Sequence, residues 1–454
     1  METLIIVIFI LGYLAITLEH NLKLDKLIPA LGMMAILWAL VAFGIDNFMN
    51  WFNSAEHKLI DGFANFTSDD KHHLLEETLL HHLGKTAEIL FFLLGAMTIV
   101  EIIDYFDGFA TFKNYIKTKN KKKLLWIFAA LAFILSAIID NLTATIVLIT
   151  ILQKIINDKN TRLWFAGLII IAANAGGAWS PIGDVTTTML WIGKKVTTLK
   201  LMEYLIIPSL LCVIIPVFIA SYMKPFKGNL DFNDSEVETP QNKHGAIMLY
   251  LGLSAIIFVP IFKTVTHLPP YVGMMLSLAV VGIFAEIYSR SQFNISHVVD
   301  IEGDDSQGFH SPVHKSLSKI EMPSVLFFFG ILMAVAALES LGMLFIGAEH
   351  LKTIIPNTDV VIMLLGVGSA VVDNVPLVAA SMGMFQEPID SHLWHFVAYS
   401  AGTGGSMLII GSAAGVVAMG MEKINFFWYF KNIAWLAAIG FVAGALAFMF
   451  LRNF

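Results

Sequence analysis

The sequence predicts an all-α protein that crosses a membrane many times and contains two inverted repeats, each with a re-entrant helical hairpin and a broken helix. Three observations support this fold class. The 454 residues are 57% apolar and only 14% charged, with a mean hydropathy of +0.74, whereas soluble domains have about 25% charged residues. Apolar runs close to the roughly 20 residues that span a bilayer recur from Leu4 to Leu451. Polar landmarks within these runs occur twice, in the same order.

The composition also excludes several classes of protein. The net charge of -7 is not concentrated in a tail, and no basic stripe with interleaved aromatic residues argues for a nucleic-acid partner. Cys212 is the only cysteine, so no disulfide can form within the chain. The first apolar run, Leu4 to Leu18, lacks a basic start and a small-residue cleavage site, which predicts a retained helix rather than a signal peptide. No cofactor is expected.

The orientation of the first helices follows from the basic residues, because short loops rich in Lys and Arg stay in the cytoplasm. Lys23 and Lys26 follow the first helix, which predicts an outer N-terminus. A second helix, at about 28 to 47, then leads to a polar, acidic outer segment at 48 to 85. A third helix, at about 86 to 106, returns to a basic inner cluster of Lys117, Lys119, Lys121, Lys122 and Lys123.

The outer segment is rich in histidine, which suggests either a metal site or a pH sensor. Leu75, Leu79 and Leu83 recur in it at helical spacing, so an interfacial amphipathic helix with exposed histidines is the alternative. The histidines are His57, His72, His73, His81 and His82.

The next apolar segment predicts a re-entrant hairpin at 124–153. It has basic residues on both sides, the lysine cluster before it and Lys154, Lys159 and Arg162 after it, so a single straight span would violate the charge rule. Asp140 and Asn141 lie at its middle. Irregular backbone at membrane depth is tolerated only where protein or a water-filled cavity satisfies it. The polar tip is therefore expected to line a site.

The segment 163–193 predicts a broken helix, because glycines, Pro181 and several hydroxyls interrupt it between Asn174 and Thr188. This topology leaves Lys194, Lys195 and Lys200 outside, against the charge rule. A further helix, at about 203 to 223, precedes a polar linker at 228 to 245. Two helices, at about 246 to 262 and 270 to 289, then lead to a cytoplasmic loop at 290 to 322.

The same order of landmarks then recurs. A helix at about 323 to 345 carries Glu339 ten residues after Phe329, as Glu101 follows Phe91. Asp373-Asn374 matches the first Asp-Asn pair. Gly404-Gly405 with Ile410-Gly411-Ser412 matches Gly176-Gly177 with Ile182-Gly183-Asp184 without a gap. The predicted domains are N-terminal helices and outer loop 1–85, first repeat 86–227, linker, helices and cytoplasmic loop 228–322, and second repeat 323–454, with hairpin 354–386 and broken helix 392–421.

The first repeat begins with an inward helix and the second with an outward one, so the repeats are inverted. Inverted repeats with discontinuous helices in matching positions are typical of secondary transporters and place the site near the bilayer midplane. Ionisable side chains at that depth cost roughly 2.5–3.5 kcal/mol on insertion scales, so retaining them calls for a functional reason. Capping of half-helices is the alternative role of the Asp and Asn residues, and the two roles can coexist.

Carboxylate, amide and hydroxyl oxygens suit a hard cation. Desolvation favours the protonated carboxyl, so a proton and a cation can compete for one site. The candidate ion- and proton-binding residues are Asp140, Asn141, Thr143, Asn174, Asp184, Thr186, Thr187, Asp373, Asn374, Ser406 and Ser412. Among these, Asp140, Asn141, Asp373 and Asn374 are the predicted sodium ligands. Glu101 and Glu339 are either proton relays or partners of nearby lysines.

Four stretches together resemble the NhaD-type sodium/proton antiporters of the ion transporter superfamily: 136–145, 173–187, Asp373 to Pro376 and 402–406. The resemblance covers nearly the whole chain. It implies exchange of sodium, or lithium, for protons, and a homodimer in which a scaffold holds a mobile transport region. The positions carried over are Asp140, Asn141, Asn174, Asp184, Thr186, Asp373, Asn374 and Ser406.

Two alternatives remain at this point. A sodium-coupled dicarboxylate carrier or an arsenite carrier of the same superfamily shares the layout, but Asp at the hairpin tips would repel an anionic substrate. An intramembrane aspartyl protease is suggested by Ile182-Gly183-Asp184 and by Asp104 next to Tyr105, but it explains neither the repeat nor the two Asp-Asn pairs. The expected location is the bacterial cytoplasmic membrane.

Overall fold

The computed structural model describes residues 1–53, 58–60, 62–115, 118–230, 244–296, 311–371 and 374–452. Almost all of this part is helical, and one antiparallel pair, β1 Phe52–Asn53 with β2 Lys58–Leu59, lies near the start. The helices of the N-terminal region and the first repeat are α1 Glu2–Thr17, α2 Glu19–Leu22, α3 Leu27–Gly44, α4 Ser68–Tyr105, α5 Lys121–Ile139, α6 Asn141–Ile155, α7 Lys159–Ala178, α8 Val185–Ile192 and α9 Thr198–Ala220.

The remaining helices are α10 Gly245–Thr266, α11 Pro270–Ser296, α12 Pro312–Ser318, α13 Met322–Ser340, α14 Met343–Ile354, α15 Thr358–Gly368, α16 Asn374–Met384, α17 His392–Gly404, α18 Ala413–Glu422, α19 Phe426–Asn432 and α20 Ala434–Leu451. Within the described ranges, nine helices are long and apolar enough to span a membrane: α3, α4, α5, α7, α9, α10, α11, α13 and α20. The chain is therefore a multi-pass membrane protein.

The first hairpin reverses at Asp140, between α5 and α6. Asp140 has φ +77° and ψ 159°, a backbone region that is almost reserved for glycine. Its carboxylate accepts a hydrogen bond from the backbone N–H of Thr143 at 2.8 Å, which satisfies an amide in the first turn of α6. The aspartate therefore fixes the sharp reversal and starts the second half of the hairpin.

The two broken helices have the same local backbone. The first is interrupted between the end of α7 and the start of α8, and the second between the end of α17 and the start of α18. Asp184 and Ser412 precede α8 and α18 in the N-cap position, with φ/ψ of -151°/151° and -147°/152°. The sequence match between Asp184 and Ser412 is thus also a match in conformation.

Two further pairs of contacts relate the repeats. Ser136 donates a hydrogen bond to the backbone carbonyl of Ala173 at 2.6 Å, and Ser369 does the same to Ala401 at 2.8 Å. A Cβ on Gly176 would lie 2.3 Å from the Phe133 carbonyl oxygen, and one on Gly404 would lie 2.0 Å from that of Gly366. Only glycine permits these close backbone approaches. The predicted fold class, with two hairpins and two broken helices, is confirmed.

The third helix begins much earlier than predicted. The structure continues α4 back to Ser68, so the interpretation of residues 68 to 85 as a loop is wrong. Thr67 caps this end by accepting a hydrogen bond from the N–H of Asp70 at 3.2 Å. Two acidic residues in the first turn stabilise the helix by interacting with the positive end of its dipole. The helical spacing of Leu75, Leu79 and Leu83 already pointed to this extension.

The predicted helix at 323 to 345 is also divided. It ends at Ser340, Gly342 takes φ +70°, and the separate helix α14 begins at Met343. Part of the predicted cytoplasmic loop at 290 to 322 is helical, since it contains α12 and the last turns of α11. Residues 231–243 of the predicted linker and residues 297–310 of that loop lie outside the described residues.

Candidate functional site

The two hairpin tips meet at the carboxylate of Asp184, which is buried between them. The side-chain amide of Asn141, from the first tip, lies 3.4 Å from Asp184 Oδ1. The amide of Asn374, from the second tip, donates to Asp184 Oδ2 at 3.0 Å. The hydroxyl of Thr186 also donates to Oδ2, at 2.6 Å. One carboxylate therefore joins polar side chains from both repeats.

Asn174 extends this network toward the second broken helix. Its side-chain oxygen accepts a hydrogen bond from Asn141 at 3.0 Å, and its amide nitrogen donates to Ser406 Oγ at 3.0 Å and to Ser412 Oγ at 2.9 Å. Asn174 is fully buried, and the other three side chains in these bonds are at most 5% exposed. Buried polar groups in such a network are held in fixed orientations by their partners.

Two of the predicted residues, Asp140 and Thr143, bond to each other within the first tip. Both oxygens of Asp140 accept hydrogen bonds from Thr143, one from its backbone N–H and one from its hydroxyl at 2.9 Å. This is the arrangement of a helix cap. The prediction that Asp140 binds an ion stays a prediction, and Asp373, its counterpart in the second tip, lies outside the described residues.

Thr187 contacts the backbone of the break rather than the carboxylate. Its hydroxyl donates to the carbonyl oxygen of Asp184 at 2.9 Å, so it supports the first turn of α8. The predicted residues that the structure brings into one connected network are thus Asn141, Asn174, Asp184, Thr186, Asn374, Ser406 and Ser412.

Several supporting residues were not predicted. Ser136 and Ser369 bind the hairpins to the neighbouring broken helices, and each lies four residues before an Asp-Asn pair, a spacing that could have revealed them. The hydroxyl of Tyr429, in α19, donates to the backbone oxygen of Ser406 at 2.8 Å. Nothing in the local sequence around Tyr429 indicates this contact, because it joins residues of different elements.

The chemistry of this network suits a hard cation. It contains a carboxylate, amide groups and hydroxyls, which are the oxygen ligands that such cations use. The amide nitrogens of Asn141 and Asn374 face Asp184. Rotating either amide by half a turn would present its oxygen to the same point, since the two ends of an amide are nearly equal in shape. The arrangement can therefore serve either a cation or a protonated carboxyl.

The two predicted glutamates do not belong to this network. Glu101 lies near the end of α4, where its carboxylate is 4.0 Å from the ammonium of Lys319. Glu339 lies elsewhere, in the wall of a cavity beside Lys195. Asp104 also contacts Lys319, at 3.9 Å, and its side chain is mostly exposed, unlike the buried Asp184. The adjacent pair of carboxylates that an aspartyl protease needs is not formed by Asp104 and Asp184.

A cavity of about 560 Å³ lies between α4 and α13 on one side and α8 and α16 on the other. Apolar residues such as Met189, Leu332 and Met382 line most of it. Its charged lining residues and histidines are His81, His82, Lys85, Lys194, Lys195, Glu339 and Glu387. Among the described residues, no group of three His, Cys, Asp or Glu side chains is placed to hold a metal ion, and His57 lies outside them.

A family model described as a citrate transporter, CitMHS, matches residues 5–391 of this chain. The chain is 40% identical to sodium/proton antiporter 1 of Arabidopsis thaliana, over 98% of this chain and 72% of that protein. It is 31% identical to the Na+/H+ antiporter NhaD of Vibrio cholerae, over 99% of this chain and 91% of that protein.

Among solved structures, the chain is similar to the YdaH transporter of Alcanivorax borkumensis, whose topology is described as unusual. The TM-score is 0.56, with 12% sequence identity, and the match covers 93% of this chain and 97% of that one. At this identity the likeness concerns the fold alone.

Proposed function

This chain belongs to the NhaD-type sodium/proton antiporters, and we propose that it exchanges sodium ions for protons across a membrane by alternating access. The observation that carries the proposal is the Asp184 carboxylate, which is bonded to the tips of both hairpins. A cation at this point would contact groups from both repeats. Its binding is therefore coupled to the arrangement of the whole transport region.

Competition for one carboxylate gives the exchange. A carboxylate can hold either a proton or a hard cation, and the amide and hydroxyl oxygens around Asp184 are suited to a sodium ion, so the two compete for this residue. The site then holds a proton or a sodium ion in turn, and each crosses in a different direction. Lithium is a second cation of the same hard, oxygen-preferring type.

The cavity between α4, α13, α8 and α16 is the proposed outer vestibule. Two of the three outer lysines that disagree with the charge rule have local partners. Lys200 contacts Glu203 at 2.8 Å, and Lys195 lies 4.6 Å above the ring of Trp394. We place the N-terminus outside and the protein in the cytoplasmic membrane of a bacterium, as a homodimer that serves pH homeostasis.

A carrier of citrate or another carboxylate is the second candidate, because the matching family model carries the description of a citrate transporter. The charge of Asp184 argues against it. An ionised carboxylate at the meeting point of the tips repels an anionic substrate, and in a water-poor site this repulsion is only weakly screened.

Flux in proteoliposomes separates these functions. Vesicles that contain the purified chain are given an outward sodium, lithium or potassium gradient, and internal pH is followed with a trapped dye. Uptake of labelled citrate and succinate is measured in the same vesicles. We expect proton movement driven by sodium and lithium without carboxylate uptake, whereas carboxylate uptake without cation/proton exchange would overturn the proposal.

A further inference from the structure

The start of the first hairpin and the segment after α9 together carry an unusual group of lysines. Asn120 and Asn229 form an isolated antiparallel bridge, and the N–H of Lys121 donates to the carbonyl of Gly228 at 3.1 Å. Residues 118–123 and 221–230 contain no acidic residue. The inner lysine cluster, as we name it, comprises Lys121, Lys122, Lys123, Lys224 and Lys227.

These lysines have few negative partners among the described residues. In the described part of the chain, no carboxylate lies within 4.0 Å of any of the five ammonium groups. Their charge reaches Asp158 only as a minor effect: hydrogen bonds from Thr161 are the main cause of the lowered pKa of Asp158, and Lys121 contributes last. Among the described residues, the cluster is therefore a positive surface with no carboxylate in direct contact, and the acidic residues that follow it in the sequence, Asp231, Asp234, Glu236 and Glu238, lie outside that part of the chain.

The positive-inside rule accounts for the side on which the lysines lie but not for their position on a helix. Lys121, Lys122 and Lys123 occupy the first turn of α5, which has no acidic residue. The amino end of a helix carries a partial positive charge, so cations there are unfavourable. An external anion in contact with this turn would remove the conflict.

The surface beside the cluster is apolar and open. Lys122 Nζ lies 3.8 Å from the ring of Tyr222, which is 59% exposed, and Phe218 on the same helical region is 53% exposed. An aromatic ring at the end of an apolar span, next to lysines, is typical of the membrane–water boundary. An anion that meets both surfaces must be amphiphilic, with a charged head and an apolar tail.

We propose that the inner lysine cluster binds the headgroup of an anionic phospholipid, whose acyl chains lie along the exposed face of α9. Lysine binds phosphate as a compact point charge, and basic residues at the cytoplasmic boundary attract anionic lipids. Because α5 leads directly to Asp140 and Asn141 at the tip, the bound lipid steadies the end of the hairpin opposite the ion site.

The test compares lipids that remain bound to the purified protein. Wild type, the variant Lys122→Gln/Lys123→Gln/Lys224→Gln/Lys227→Gln and its lysine-to-arginine counterpart are prepared in mixed phosphatidylglycerol and phosphatidylcholine, and bound lipids are counted by native mass spectrometry. Lys315→Gln/Lys431→Gln is the control, since it removes lysines of other segments. Thermal stability of each sample verifies that it is folded.

We expect wild type, the arginine variant and the control to retain phosphatidylglycerol over phosphatidylcholine, and the glutamine variant to lose this preference. Equal retention of both lipids by wild type, or an unchanged preference in the folded glutamine variant, would overturn the proposal. So would loss of the bound lipid on adding excess inorganic phosphate, which would assign the cluster to free phosphate. None of these readouts depends on ion exchange, so failure here leaves the antiport proposal standing.

Discussion

The two broken helices have nearly the same backbone but supply different chemistry. The first provides the carboxylate of Asp184 and the amide of Asn174, whereas Ser412 and Gly402 occupy the matching places in the second. The hairpin tips, in contrast, supply the same amide from each repeat. The two repeats therefore provide equivalent backbone arrangements around the site. A few side chains differ between them, so that the buried carboxylate of Asp184 comes from the first repeat.

The largest effect is expected from removing that charge. Asp184→Asn keeps the shape of the side chain but replaces one carboxylate oxygen by a hydrogen-bond donor, which then faces other donors. We expect sodium-driven proton movement in proteoliposomes to be abolished. Asp158→Asn is the matched control, because Asp158 caps α7 outside the site and Asn caps as well as Asp; it should exchange ions nearly as wild type does. If Asp184→Asn exchanged ions at the rate of the control, the role assigned to the carboxylate of Asp184 would be contradicted.

The shared backbone is tested by two glycines. Gly176→Ala and Gly404→Ala each place a Cβ against a backbone oxygen of the neighbouring hairpin. We expect each to lower the free energy of unfolding by at least about 1–3 kcal/mol. Gly420→Ala in α18 is the control, since no atom lies within 4 Å of its added Cβ. Thermal unfolding in detergent gives the measurement. If Gly404→Ala were as stable as wild type while Gly176→Ala was destabilised, the backbones of the two repeats would not be equivalent.

We expect Asp140→Asn to reduce ion exchange less than Asp184→Asn does. In Asp140→Asn the side chain can still accept the Thr143 N–H bond, and only the carboxylate is lost. We expect reduced but measurable exchange, with the pH dependence of wild type. Loss as complete as that of Asp184→Asn would show that Asp140 takes part in ion or proton binding, as the sequence suggests, and not only in capping.

The tip amides are expected to have intermediate effects. Asn141→Ala and Asn374→Ala each remove one contact to Asp184, and leaving a buried acceptor without its partner costs about 1–3 kcal/mol. The sodium concentration for half-maximal exchange should rise in both. Asn141→Ala should have the larger effect, because Asn141 also donates to Asn174. An effect confined to one tip would contradict the shared role.

The smallest effects are expected in the second broken helix. Asn174 donates to both Ser406 and Ser412, so either serine can be replaced by Ala while the other still accepts. We expect each single variant to change the apparent sodium affinity by about 0.5–1.5 kcal/mol, and the double variant by more than the sum. Additive effects would mean that the two contacts are independent.

Much of this arrangement could be predicted from the sequence, because the repeats are marked by residue types that rarely occur within membrane-spanning helices. Glycine pairs, Asp-Asn dipeptides and a proline within apolar runs locate the hairpins and the breaks without knowledge of the packing. The polar residues between 68 and 85 favour an outer loop, and only the spacing of the leucines indicates that α4 begins as early as Ser68.

The central position of Asp184 could not be predicted, although the residue itself was a candidate. Asp140 and Asp184 are equivalent in sequence terms, as acidic residues within interrupted apolar segments. Only the packing determines that one carboxylate turns back to its own helix while the other meets both tips. The contact of Tyr429 with Ser406 was hidden for the same reason, since it depends on how distant elements meet.

The most direct test is the binding of sodium to the purified protein, measured by calorimetry in buffers of different ionisation enthalpy, which yields the number of protons released for each ion bound. We expect wild type to bind sodium with proton release and Asp184→Asn to show neither, while Asp158→Asn behaves like wild type. Sodium binding with unchanged proton release in Asp184→Asn would contradict the assignment of Asp184 as the carboxylate that the ion and the proton share.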